Sequence, residues 1–202
     1  MVSDRSQIVG LALAIIGLLG TIITCGLPMW KVERFTGIVG SGILWEGLWM
    51  ACVRDFTQKI RCKVYNSDQI LSPDLLAARA LVSLAIIFGL FGILLGIAGG
   101  KCTNFIQVEH QRCKVTIAAG VSFIISGVLV LIPISLTANT IIRDINNPLV
   151  FGIQKREMGP SLYVGWAAAG LLLMGGGLLC IFKKNKLSAS VRFSSLKNQC
   201  AA

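Results

Sequence analysis

The sequence predicts an α-helical membrane protein, a four-transmembrane-helix bundle with a small extracellular antiparallel β-sheet. Three observations carry this. Of 202 residues, 54% are hydrophobic and only 14% are charged, too apolar for a soluble domain of this size. The excess lies in four stretches, Ile8 to Pro28, Leu81 to Gly99, Val115 to Leu136 and Leu162 to Phe182. Each runs for about 20 residues without an acidic or basic side chain, enough to cross a hydrocarbon core of roughly 30 Å as a helix. Between the first two stretches, Cys52 and Cys62 stand ten positions apart on segments that alternate apolar and polar residues. Such a pair can close a small disulfide-tied hairpin if the loop faces an oxidising compartment.

The first stretch is too long for an ordinary signal-peptide core and lacks a clear cleavage site, so it is expected to remain as a helix. Four spans put both termini on one side. The outer loops are then residues 29–79 and 137–161, residues 1–182 form one four-span domain, and residues 183–202 form a cytoplasmic basic tail. Lysine and arginine orient the chain poorly, with nine on the side of the termini and ten on the other. The cysteine pair decides it, placing the long loop outside and both termini in the cytoplasm.

The first outer loop has room for a sheet. Trp30 to Phe35, Ile43 to Val53 and Lys59 to Tyr65 carry the β-branched and aromatic residues that strands favour. In the last segment a period of two sets Lys59, Arg61 and Lys63 on one face, with Ile60, Cys62 and Val64 packed inward on the other. A row of fixed positive charge beside a water-filled path repels cations and favours anions. Within the spans, Gly92 and Gly96 suit close helix packing inside the bundle. Pro133 should bend the third helix.

The net charge of +10 does not indicate nucleic acid. Much of it is Lys183, Lys184, Lys186, Arg192 and Lys197, directly after the last span, where it can lie against anionic membrane lipid. Spans without charge or histidine argue against an ion path through the bundle itself. His110 has no second histidine, Cys102 and Cys113 lack zinc-site spacing, and no Cys-x-x-Cys supports a membrane disulfide oxidoreductase. Neither an enzyme, a cofactor nor a metal is expected. Cys102, Cys113 and Cys180 lie near the cytosolic boundary, where palmitoylation is chemically accessible.

Trp30, Gly47-Leu48-Trp49, Cys52, Cys62 and Arg79 together resemble the claudin family of tight-junction proteins. The likeness covers roughly residues 8 to 182, including Gly100-Lys101-Cys102-Thr103-Asn104, Asn147-Pro148-Leu149-Val150 and Lys155-Arg156-Glu157-Met158-Gly159. The resemblance implies a bundle topped by strands from both outer loops. It also implies a plasma-membrane protein at cell–cell tight junctions that binds claudin-type partners in its own membrane and on the adjacent cell, to seal or perforate the paracellular space. It further implies a Cys52–Cys62 disulfide, an interfacial anchor at Trp49 with Gly47 and Leu48, and pore-facing charge at Asp55 and Lys63.

Two departures from the family pattern stand out. An apolar residue that enters an aromatic pocket on the next subunit is replaced by Asp68, and the aromatic pair that receives it by Ile145-Asn146, while Met158 keeps the pocket's third position. A carboxylate there meets a desolvation cost. The chain also reads Cys200-Ala201-Ala202 where many claudins carry a Tyr-Val end that docks PDZ scaffolds, which counts against that link. The runner-up reading is an epithelial-membrane-protein-like or auxiliary channel subunit of the same architecture, since these share a similar loop motif.

Overall fold

A computed structural model of the chain describes residues 2–37, 40–55, 57, 59–65, 72–100, 109–145 and 154–199. Four helices, α1 (Val2–Gly26), α2 (Pro73–Ala98), α3 (Glu109–Ile145) and α4 (Pro160–Gln199), are long and apolar enough to cross a membrane. Five strands, β1 (Lys31–Gly37), β2 (Gly40–Glu46), β3 (Met50–Arg54), β4 (Ile60–Val64) and β5 (Gln154–Met158), form one antiparallel sheet in the order β4-β3-β2-β1-β5.

Local chemistry explains several helix ends. α2 opens with Pro73 at its first position and Asp74 in its first turn, where a fixed φ and a negative charge suit the exposed N–H groups. α4 opens on Pro160 in the same way. α3 differs from expectation. It continues past Leu136 to Ile145 because Ala138 and Ile141, three residues apart, keep one face buried where the uninterrupted apolar run has ended. α4 likewise continues past Phe182 through the lysine-rich segment, lysine being a good helix former. Pro133 lies inside α3.

The chain divides into two compact units. The first comprises Met1–Leu18, Ala85–Val128 and Gly170–Ala202. Its core is Ala14, Leu18, Ala119, Phe123, Leu172 and Leu179, all at most 2% exposed. Gly92 faces Phe123, where an added Cβ would stand 2.9 Å from the ring, and Gly96 faces Leu11. The small residues of α2 therefore serve packing inside the bundle. Ser126 satisfies its hydroxyl on the Ala85 carbonyl at 2.7 Å.

The second unit, Leu19–Leu84 and Leu129–Ala169, holds the sheet together with one end of each helix. Two sequence expectations change here. The segment Ile43 to Val53 is two strands, because the chain reverses at Gly47-Leu48-Trp49, closed by a Gly47 N–H to Met50 carbonyl bond of 3.0 Å. β4 does not pack Ile60, Cys62 and Val64 inward. All five of its residues are exposed, Ile60 at 61% and Val64 at 59%, since among the described residues β4 is an edge strand paired only to β3.

Candidate functional site: the disulfide-tied sheet

The β2–β3 reversal is held by contacts to the helix ends. Gly47 presses on the Pro28 backbone so closely that a Cβ would collide with Pro28 Cα. Leu48 is fully buried, and its carbonyl accepts from Arg79 Nε at 2.6 Å. The Arg79 guanidinium lies 5.0 Å from the Trp49 ring centre and 5.3 Å from that of Tyr65. Its buried Nη2 has no hydrogen-bond acceptor among the described residues, so the two ring faces hold that side of the cation. Trp49 is 42% exposed and donates its indole N–H to Cys25 Sγ at 3.3 Å. Trp30 is buried and donates to the Thr24 carbonyl at 2.8 Å.

Burial pushes the Tyr65 phenol above its ordinary pKa. The Glu46 carboxylate pushes the same way, and Arg79 pulls it partly back.

Cys52 and Cys62 stand directly opposite each other in the β3–β4 register and are joined by a disulfide. Beyond it the Asp55 N–H donates to the Lys59 carbonyl at 3.3 Å, closing the hairpin. Arg61 and Lys63 alternate along β4, opposite Val53 and Ala51.

The other side of the sheet is fixed by charge. Glu33, 5% exposed in β1, forms an ion pair with Arg156 Nε of β5 at 2.5 Å. Arg156 Nη1 also donates to Asp144 near the end of α3. Burial opposes the Arg156 charge, but the hydrogen bond to Asp144 and the charge of Glu33 outweigh it and raise the guanidinium pKa. Arg34 pairs with Glu157 at 3.1 Å. The Gly159 N–H donates to the Trp30 carbonyl at 3.1 Å, so closely that a Cβ on Gly159 would strike the Met29 carbonyl oxygen.

A family model described as the PMP-22/EMP/MP20/Claudin family matches residues 4–179. Claudin-4 of Bos taurus is 51% identical over 206 residues, covering 100% of this chain and 99% of that protein. This chain belongs to the claudin family. Claudin-4 of Homo sapiens is 54% identical over 182 residues, 89% of this chain and 87% of its own. Claudin-3 of Homo sapiens is 53% identical over 176 residues, 86% and 80% respectively. Claudins are structural proteins of tight junctions and not enzymes. Membership gives this claudin a multi-pass membrane placement at tight junctions and interaction with other claudins there.

Against that background the geometry sorts the residues singled out from the sequence. Trp30, Gly47, Leu48, Trp49 and Arg79 come together at the β2–β3 reversal. Met158 sits in β5 opposite Lys31, and Ile145 is 42% exposed at the end of α3. Asp68, Asn146, Cys102 and the side chain of His110 lie outside the described residues. Cys113 is buried at 6%, and Cys180 turns its thiol to the Ile117 carbonyl at 3.7 Å. Sequence reasoning missed the Glu33–Arg156–Asp144 cluster and the stacking partner Tyr65. The sequence held no local signal for the first, since Glu33 stands among charged and apolar residues and its burial appears only in the folded sheet.

Proposed function

We propose that this claudin forms or regulates the paracellular barrier and restricts cations, with a relative preference for anions. The observation that carries the reading is β4: an exposed edge strand with Arg61 and Lys63 on one face and Lys59 immediately before it. Between Cys52 and Asn66 the cations Arg54, Lys59, Arg61 and Lys63 outnumber the one acid, Asp55. A charge within about 8 Å of a permeating ion still acts on it at physiological salt. On this reading the sheet and its disulfide face the extracellular space and both termini are cytoplasmic. Trp49 meets the headgroup region, where an amphipathic ring is favoured. The basic residues of the α4 extension lie against anionic lipid, and partners are claudin-type chains in the same and the facing membrane.

Dilution potentials across an epithelial monolayer test the charge assignment. Lys63→Asp should shift permeability toward sodium. An unchanged chloride-to-sodium ratio removes Lys63 from the ion path.

A further inference from the structure

Within the unit that holds the sheet, a cavity of about 910 Å³ lies between the Lys31 and Glu46 ends of β1 and β2 and the neighbouring segments of α2 and α3. Its size is at the upper end of the ~300–1,000 Å³ of small-molecule sites. The lining is graded. On α2 it runs from Asp74 to Leu81, and on α3 from Arg143 to Pro133. At 1.5 Å of rise per residue these are lengths of roughly 10 Å and 15 Å, polar at one end and apolar at the other. Leu136 at the apolar end is 60% exposed.

The polar end carries two cations, Lys31 and Arg143, and two carboxylates, Glu46 and Asp74. Lys31 and Glu46 are direct partners in the β1–β2 register. Among the described residues, none of the four makes an ion pair with another side chain. Two charges of each sign above an apolar slot match a molecule that carries one phosphate, one ammonium and acyl chains.

We propose that this cavity binds the headgroup and glycerol region of one zwitterionic phospholipid from the leaflet on the sheet side. The phosphate takes Lys31 and Arg143, the latter through its planar fork of donors. The ammonium takes Glu46 and Asp74, and the acyl chains leave past Leu81 and Leu136. An anionic headgroup would face two carboxylates with no cation of its own. A sterol, with a single hydroxyl, would leave the charges unmatched.

The test is native mass spectrometry of the full chain in detergent with added palmitoyl-oleoyl phosphatidylcholine, phosphatidylglycerol or cholesterol. Wild type should retain one phosphatidylcholine roughly tenfold more tightly than phosphatidylglycerol. Ala77→Trp and Thr140→Trp fill the cavity from its two helical walls without altering the charged groups. Each should lower phosphatidylcholine retention by roughly tenfold while leaving helicity and the Cys52–Cys62 disulfide intact. Arg143→Gln should lower it as well. The proposal is overturned if wild type retains no phosphatidylcholine, if it prefers phosphatidylglycerol or cholesterol, or if both folded tryptophan variants retain phosphatidylcholine as wild type does.

Discussion

Replacing Arg156 by methionine keeps most of the side-chain volume and removes the charge shared by Glu33 and Asp144. The Glu33 side chain is 7% exposed, against 34% for Arg156 and 30% for Asp144. Breaking a fully buried pair costs about 3–5 kcal/mol, because the remaining charge is stranded away from water. An exposed pair is worth only about 0–1 kcal/mol. One buried end and two partly solvated ends place Arg156→Met between these limits, at about 2–3 kcal/mol. The loss is local to the β1–β5 ladder and the end of α3, so the assay is amide hydrogen exchange by mass spectrometry on residues 31–37 and 154–158. Protection there should fall by roughly 30- to 150-fold. Adding Glu33→Gln should recover more than half of it, since a neutral amide needs no counter-charge. A fall of less than about threefold, under 1 kcal/mol, would place the cluster with ordinary surface pairs. A double variant no better than the single one would show that the cost is steric.

Further outcomes follow from the same geometry. Cys52→Ser should loosen the β3–β4 hairpin by about 3 kcal/mol, the chain-entropy value for a loop of this length, and Cys62→Ser should match it; both thiols found free by mass spectrometry in surface-expressed wild type would refute the assignment. Because the folded Tyr65 pKa is raised, more protons are bound in the folded state above the ordinary phenol value. Sheet stability should therefore hold below pH of about 10 and decline as pH rises from there through the folded value. Arg79→Ala removes the opposing pull and should raise the phenol pKa further, read by absorbance near 295 nm; a fall would show that burial is lost instead. Gly47→Ala should cost about 1–3 kcal/mol through overpacking on Pro28, and an unchanged melting temperature in detergent would mean that the turn can move aside.

The four helices were legible because charge-free runs of this length have few other uses in a protein. Their ends were less so. An apolar run marks where lipid can contact a helix, whereas Ala138 and Ile141 show that α3 persists wherever one face stays buried. The alternation along Lys59 to Tyr65 correctly indicated a strand but not its surroundings. Period two is the same for a half-buried strand and for an edge strand exposed on both faces, and only the strand order distinguishes them. The Gly47-Leu48-Trp49 motif stood out in the sequence, yet its physical reason, the approach to Pro28 and the Leu48 carbonyl to Arg79, depends on residues 19 and 31 positions away. The Glu33–Arg156–Asp144 cluster joins residues from both outer segments, and no local pattern in the chain announces such a partnership.

The distribution of these restraints bears on where selectivity can be altered. β5 and β1 are bound to each other, to α3 through Asp144 and to the start of α4 through Gly159 and Ser161, whose N–H groups donate to Trp30 and Met29. β4 is tied to β3 by its ladder and one disulfide, and the Tyr65 N–H beyond it donates to the Trp49 carbonyl. Lys63 therefore sits on a strand whose side chains contribute little to burial, all of them exposed. Surface changes away from caps and networks cost within about 0.5 kcal/mol. Lys63→Asp should thus leave hydrogen-exchange protection of the sheet unchanged while it moves the chloride-to-sodium ratio. A shift in that ratio accompanied by loss of protection in β3 and β4 would mean that the substitution disturbs the fold, and the charge itself could not then be credited with the selectivity.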